Sequence, residues 1–176
     1  VTIDSGATVI GGKNTFATAL VNNGLFCIGP TTAGTTVAAN TTTVNANVSG
    51  SGTMKVRMQS GTVYDQLKLT AGNATLTSMT LQPVFNYVPT SGDTFTVVDN
   101  TGGGTVTLFA SVTNPTPTIK VTQSLNGTAQ VILTAGLDLA NPGMNLNPTQ
   151  TGVANSLTQA NTSSASSDLT TVLTAI

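Results

Sequence analysis

The chain has 176 residues, of which 39% are hydrophobic and only 6% charged, and it contains no His, Trp or Glu. That length suits one domain with a continuous core. The formal net charge is -1 and the five cations (Lys13, Lys55, Arg57, Lys68 and Lys120) are scattered, which excludes the clustered basic surface that phosphate binding needs.

The 36 Thr and 16 Asn residues solvate the surface with hydroxyls and amides in place of charges. Thr is β-branched and favours strands, while Asn and Gly favour tight turns. The combination fits stacked strands in which Thr and Asn pair along the stack.

In chain order, Val1, Ile3, Val9 and Ile10 flank a turn at Ser5-Gly6. Phe16 to Val21 and Leu25 to Ile28 follow, joined by Asn22-Asn23-Gly24. The lone Cys27 lies in that second apolar run, reads as a buried, inert thiol and excludes an internal disulfide. Val37 to Val48 reads as one half-buried strand, since Val44, Ala46 and Val48 alternate with Asn45 and Asn47. After the turn Ser49 to Gly52, Met54, Val56 and Met58 alternate with Lys55, Arg57 and Gln59. Tyr64 leads into Leu67 and Leu69, and Ala71-Gly72-Asn73 turns the chain towards Leu76, Met79 and Leu81. Val84, Phe85, Tyr87 and Val88 precede a strong turn at Pro89 to Asp93. Phe95, Val97 and Val98 follow, ended by Asp99 to Thr101 and by Gly102-Gly103-Gly104, which reads as a flexible turn. Beyond Val106, Leu108 and Phe109, the prolines Pro115 and Pro117 bar a central strand. Asn126-Gly127 between Val121 to Gln123 and Ala129 to Leu133 predicts a two-residue hairpin.

The character changes near Gly136, so residues 1–135 read as the β-unit, 136–148 as a linker and 149–176 as a helical tail. Val153, Leu157 and Ala160 share one helical face; Leu169, Val172, Leu173 and Ile176 share another. Thr149 or Thr151 would cap the first helix, and Ser166 or Ser167 the second, with Asp168 in its first turn. Turn signals recur at spacings of about 8 to 12 residues, which suits a sandwich, a barrel or a β-solenoid, without a strict repeat. The expected fold is all-β, a right-handed parallel β-helix or β-solenoid with a short helical tail; a β-sandwich is the alternative.

The stretch Tyr64-Asp65-Gln66-Leu67-Lys68-Leu69-Thr70-Ala71-Gly72-Asn73-Ala74-Thr75-Leu76 resembles the Tyr-Asp-x-Leu-x-Val-x-Gly-x-Ala-x-Leu signature near the C-terminal end of bacterial autotransporter passengers. Tyr87-Val88-Pro89-Thr90-Ser91-Gly92-Asp93-Thr94-Phe95-Thr96-Val97-Val98 is similar to that family's Tyr-x-Pro-x-x-Gly-x-x-Phe-x-Ile-Leu element. Thr149 to Leu157 is similar to the helical segment between the last rungs and the outer-membrane barrel. The resemblance covers roughly Thr62 to Ile176 and implies a β-helical stalk whose C-terminal part folds first and templates the rest. Two departures stand out: the barrel is missing, and the family's Gly-x-Phe is replaced by Leu108-Phe109 behind the glycine run.

The chemistry of the residues points away from catalysis. Without His, a Ser-His-Asp triad and His-based metal sites are ruled out. The lysines read as solvated, and Asp93 and Asp99 as turn residues; Asp65 reads as fixing the Tyr64 element. The glycine run lacks the Lys and following helix of a phosphate cradle. No cofactor or metal is expected. The residues expected to matter are structural: Tyr64, Leu67, Leu69, Leu76, Leu81, Phe85, Tyr87, Phe95 and Val97, the core of a folding nucleus.

The expected role is therefore a non-catalytic passenger stalk, extracellular or on the bacterial cell surface. Its partner would be its own β-barrel translocator or identical subunits, with no nucleic acid. The alternative is a subunit of a self-assembling filament or surface layer. No apolar run is long enough for a transmembrane helix, so membrane insertion by this chain is not expected. Strand character begins at Val1, so a signal peptide is expected to have been removed or to lie upstream of an internal fragment.

Overall fold

A computed structural model describes residues 1–30, 38–113, 116–141 and 144–161. Val37, Pro115 and the second expected helix lie outside these residues. The first turn of the chain contributes β1 (Thr2–Ile3), β2 (Thr8–Ile10) and β3 (Thr15–Phe16). The second contributes β4 (Leu20–Asn22), β5 (Leu25–Cys27) and β6 (Thr41–Val44), and the third β7 (Val48–Gly50), β8 (Thr53–Met58) and β9 (Gln66–Leu69). β10 (Thr80–Phe85), β11 (Asp93–Asp99) and β12 (Ser111–Val112) continue the stack. β13 (Ile119–Asn126), β14 (Gln130–Leu137) and one helix, α1 (Pro148–Ala160), complete it.

Each of the first three turns gives one strand to each of three sheets, and β10 to β14 extend only two of them; the orders are β1-β4-β7, β2-β5-β8-β10-β12 and β3-β6-β9-β11-β14-β13. All pairings along the stack are parallel except β11 with β14 and β14 with β13. The fold is a β-solenoid of about three turns, closed at its C-terminal end by an antiparallel hairpin.

Parallel register places like on like. Val9, Phe26, Met54, Leu81 and Val112 form one column, and Phe16, Val44 and Leu69 another. Leu20 stacks on Val48, and single bridges extend that column through Ala74 to Val106. Strands about 4.8 Å apart bring successive apolar side chains into contact, so a column buries more surface than its isolated members. Each large side chain fully buried this way contributes roughly 1.5–3 kcal/mol.

The turns differ in length: side-chain bonds between neighbouring turns link residues 25, 26, 28 and 32 positions apart. This is why no strict repeat is visible in the sequence. The expected single strand ending at Val48 is two strands, β6 and β7, with a bend at Asn45 and Ala46 between them. Alternation persists across the bend, but Asn45 to Asn47 form a corner. The Asn126 hairpin is joined by three residues, because Asn126 pairs with Gln130. β14 runs on through Leu137, past the expected boundary at residue 135, and α1 begins at Pro148 within the expected linker.

Candidate functional site

The nine expected core residues come together. Leu67, Leu69, Leu76, Leu81, Phe95 and Val97 are fully buried, and Tyr64, Phe85 and Tyr87 pack against the same cluster. Their aromatic rings form a chain. Tyr64 meets Phe95 edge-on at 5.3 Å, Phe95 meets Phe85 at 6.0 Å, and Phe85 meets Tyr87 at 6.4 Å. In the first two contacts edge-to-face geometry sets the positive rim of one ring against the negative face of the next, contributing about 0.5–1.5 kcal/mol per pair beyond burial, while Phe85 and Tyr87 are tilted.

Polar bonds fix this cluster at its rim. The Thr96 amide donates to the Tyr64 hydroxyl at 3.4 Å. The Tyr87 hydroxyl donates to Asp93 Oδ2 at 2.8 Å, and the Thr90 amide donates to the same oxygen at 3.0 Å. Burial, reinforced by the bond to Asp93 and by its charge, pushes the Tyr87 phenol well above its ordinary range. The turn from Pro89 to Asp93 is held by the end of α1: Asn161, itself buried, donates its side-chain amide to Pro89 O at 2.9 Å, and its carbonyl accepts from the Ser91 amide at 3.3 Å.

The helix is anchored, not free. Ala154 is buried with Leu137 and Leu139 in a second small apolar cluster, joined by Leu157 and Leu146. The Leu139 amide donates to Thr158 Oγ1 at 3.0 Å. Its N-cap is Asn147, not Thr149 or Thr151: Asn147 Oδ1 accepts from the Gln150 amide, the Gln150 side chain returns the bond, and Pro148 sits in the first turn. Asn147-Pro148 was legible as a linker signal and is equally a helix start.

Sequence reasoning missed a buried ion pair. Alternation placed Arg57 on the solvent face of β8, yet Arg57 and Asp65 are both buried. Arg57 Nε donates to Asp65 Oδ2 and Nη2 to Oδ1, each at 3.1 Å, while the Arg57 amide donates to Oδ2 at 3.2 Å. Asn40 adds its backbone amide at 3.0 Å and its side-chain amide at 3.3 Å to Oδ1. A Cβ on Gly29 would strike Asp65 Oδ2, so glycine there makes room for the pair. Arg57 does leave the inner face of the strand, but Gly29 lies against its guanidinium and Asn40 bonds the carboxylate that pairs with it. Tyr64-Asp65 in the first motif is thus split between two tasks, the ring serving the aromatic chain and the carboxylate serving Arg57.

The expected pairing of Asn and Thr along the stack is present as a ladder of asparagines, and it runs along one corner. Asn47 Oδ1 accepts from the Asn73 amide at 2.8 Å, and Asn73 Oδ1 accepts from the Thr105 amide at 2.9 Å. Asn100, buried beside them, donates to Gly72 O at 3.1 Å and Thr105 O at 3.2 Å. The run Gly102 to Gly104 lies at a turn, as expected, and its last two glycines are close to the ladder: a Cβ on Gly104 would strike Asn73 Oδ1, and one on Gly103 would strike Asn100 Oδ1.

Among the described residues, no three His, Cys, Asp or Glu side chains group where they could hold a metal ion. Among them, too, no helix is long and apolar enough to cross a membrane. Cys27 is buried, and that burial raises its thiol pKa, with Lys55 opposing. Comparison with known proteins gave no match, either to a family model or to a curated protein sequence.

Proposed function

We propose that this chain is a non-catalytic extracellular structural segment, the C-terminal part of an autotransporter-like passenger stalk that templates the folding of the turns stacked above it. Its partner in this reading is a β-barrel translocator, and its place is the bacterial cell surface. The observation that supports the reading is convergence. The first two segments that carry the resemblance lie ten residues apart and the third about fifty residues further on, yet Tyr64 packs on Phe95, Val88 joins the cluster of Ala154 and Leu157, and the Pro89 to Asp93 turn is held by Asn161 just past α1. A cluster joining all three can form before the N-terminal turns and offer them an edge to add to.

Refolding kinetics test this. Tyr64→Ala and Phe95→Ala should slow refolding in proportion to their destabilisation, whereas Phe26→Ala, in the second turn, should mainly speed unfolding. The same variants fused to a β-barrel translocator should lose folded passenger on the cell surface, as judged by protease resistance. Refolding slowed by Phe26→Ala but not by the other two would overturn the reading.

A second reading, end-to-end assembly into a filament, draws on a different observation. Among the described residues β13 is the last strand of its sheet, and Leu125 on it is exposed. Open edges of this kind invite strand addition. Size-exclusion chromatography and negative-stain microscopy of the intact chain separate the two: regular filaments support assembly, and slender monomers support the stalk.

A further inference from the structure

The sequence contains two Asn-Gly dipeptides, Asn23-Gly24 and Asn126-Gly127, and the fold gives them opposite surroundings. In such a pair the glycine nitrogen reaches the preceding side-chain carbonyl carbon with little hindrance, because glycine has no Cβ and moves freely. What decides reactivity in a folded chain is whether the backbone and the amide can adopt the attacking geometry.

Asn23 is clamped. Its Oδ1 accepts from the Ser51 amide at 3.2 Å and from the Ser51 hydroxyl at 3.3 Å. The Gly24 nitrogen, the attacking atom, donates to Asn22 Oδ1 at 3.2 Å, and the Gly24 carbonyl accepts from the Thr53 amide at 2.8 Å. Turns above and below close on this peptide, since a Cβ on Gly24 would strike the carbonyls of Asp4 and Ala7.

Asn126 is held far less. Both Asn126 and Gly127 are exposed at the tip of the β13–β14 hairpin, and Gly127 has φ 61° with nothing within 4 Å of where its Cβ would lie. The Asn126 side chain is held through Nδ2, which donates to Gln130 Oε1 at 2.7 Å, and not by the carbonyl clamp that holds Asn23.

We propose that Asn126 is a site of spontaneous deamidation in the folded protein, while Asn23 is protected by its neighbouring turn. The Gly127 nitrogen loses its proton to solvent base and bonds to Asn126 Cγ. The bond from Cγ to Nδ2 breaks, and ammonia leaves with a proton from solvent, giving a cyclic imide. Water then adds to either imide carbonyl and opens the ring to aspartate or isoaspartate. No oxidant, reductant or cofactor is needed. Both products lose the donor to Gln130, and isoaspartate adds a backbone methylene where the Asn126–Gln130 pairing ends. The Thr128 and Ala129 carbonyls still accept from the Val106 and Asn100 amides, so the tip loosens while its attachment to the stack survives.

The intact folded chain and the same chain in denaturant are incubated side by side in mildly alkaline buffer. They are then digested and read by peptide mass spectrometry, with isoaspartate detected by enzymatic methyl transfer. Both sites should convert in denaturant. In the folded chain Asn126 should convert while Asn23 lags by about tenfold or more, because its attack requires breaking several bonds first. Asn126→Gln should abolish the hairpin signal and leave Asn23 unchanged. Folded-state conversion at Asn23 as fast as at Asn126 would overturn the proposal. So would an unmodified Asn126 in the folded chain once the denatured chain has converted.

Discussion

A carboxylate and a guanidinium taken out of water each lose several kcal/mol of hydration, and only close, fully bonded geometry restores it. Arg57 and Asp65 meet that demand on the carboxylate side; on the other, Arg57 Nη1 is buried without a hydrogen-bond partner. The pair therefore specifies geometry more than it adds stability. Asp65→Ala strands a buried cation and should cost about 3–5 kcal/mol, whereas the double variant Arg57→Met with Asp65→Leu removes the stranded charge and should cost less, its remaining loss coming from the Arg57 and Asn40 amides left without an acceptor. Chemical denaturation midpoints at constant slope decide between them. Tyr87 gives a second residue-scale test, in pH. Its folded pKa lies above its unfolded value, so its contribution is complete below the unfolded value of about 10 and is lost as pH rises beyond it. Wild-type stability should therefore fall in that alkaline window, and Tyr87→Phe should flatten the slope while losing about 1 kcal/mol at neutral pH with the bond to Asp93.

Corners are the elements that hold this fold in register. A solenoid turn must bend its backbone three times, and each bend exposes amides that the sheet ladders no longer serve. Along one corner the asparagine side chains supply the missing acceptors, each serving the amide of the next turn. Asn73→Ala should leave the exposed Thr105 amide to water and cost about 0.5–1.5 kcal/mol, measured by denaturation, with faster exchange of that amide as its local signature. At the other end, Asn147→Ala removes the cap of α1 and should lower helix amide protection by about 1 kcal/mol. The same corners explain what the sequence made legible. The inward columns were readable because alternation at Met54, Val56 and Met58, or at Leu67 and Leu69, directly reports a two-sided strand. The bend at Asn45 was not, because its neighbours keep the alternation on either side of it. Arg57 was misplaced for a related reason: alternation says which way a side chain leaves the strand, not what a distant segment lays over it. The aromatic residues of the candidate site were readable from motif and hydrophobicity, whereas Gly29 and Asn40, which complete the site around Asp65, carry no local signal.

At the scale of the whole molecule, the stack is quasi-one-dimensional, and stability in such folds is approximately a sum over units and the interfaces between neighbours. The units here are unequal. The first turn rests on strands of two or three residues with one neighbour each. At the other end, β11 spans seven residues and β13 and β14 eight each, paired in two antiparallel ladders. Those ladders enclose the aromatic chain and receive the helix, so their interface term is larger. Hydrogen exchange of the native chain should accordingly show a gradient. Amides of β1 to β3 should exchange by local fraying, those of β5 and β8 at intermediate protection, and those of β11 and β14 only at the free energy of global unfolding. Phe95→Ala should lower protection of β11 and β14 by about 3–5 kcal/mol, the cost of removing a fully buried ring, and leave the local fraying of β1 to β3 little changed. Removing Ile3 as Ile3→Ala should lower protection in the first turn alone. Uniform protection along the stack would mean that the turns unfold as one unit, and would remove the energetic asymmetry on which a templating role depends.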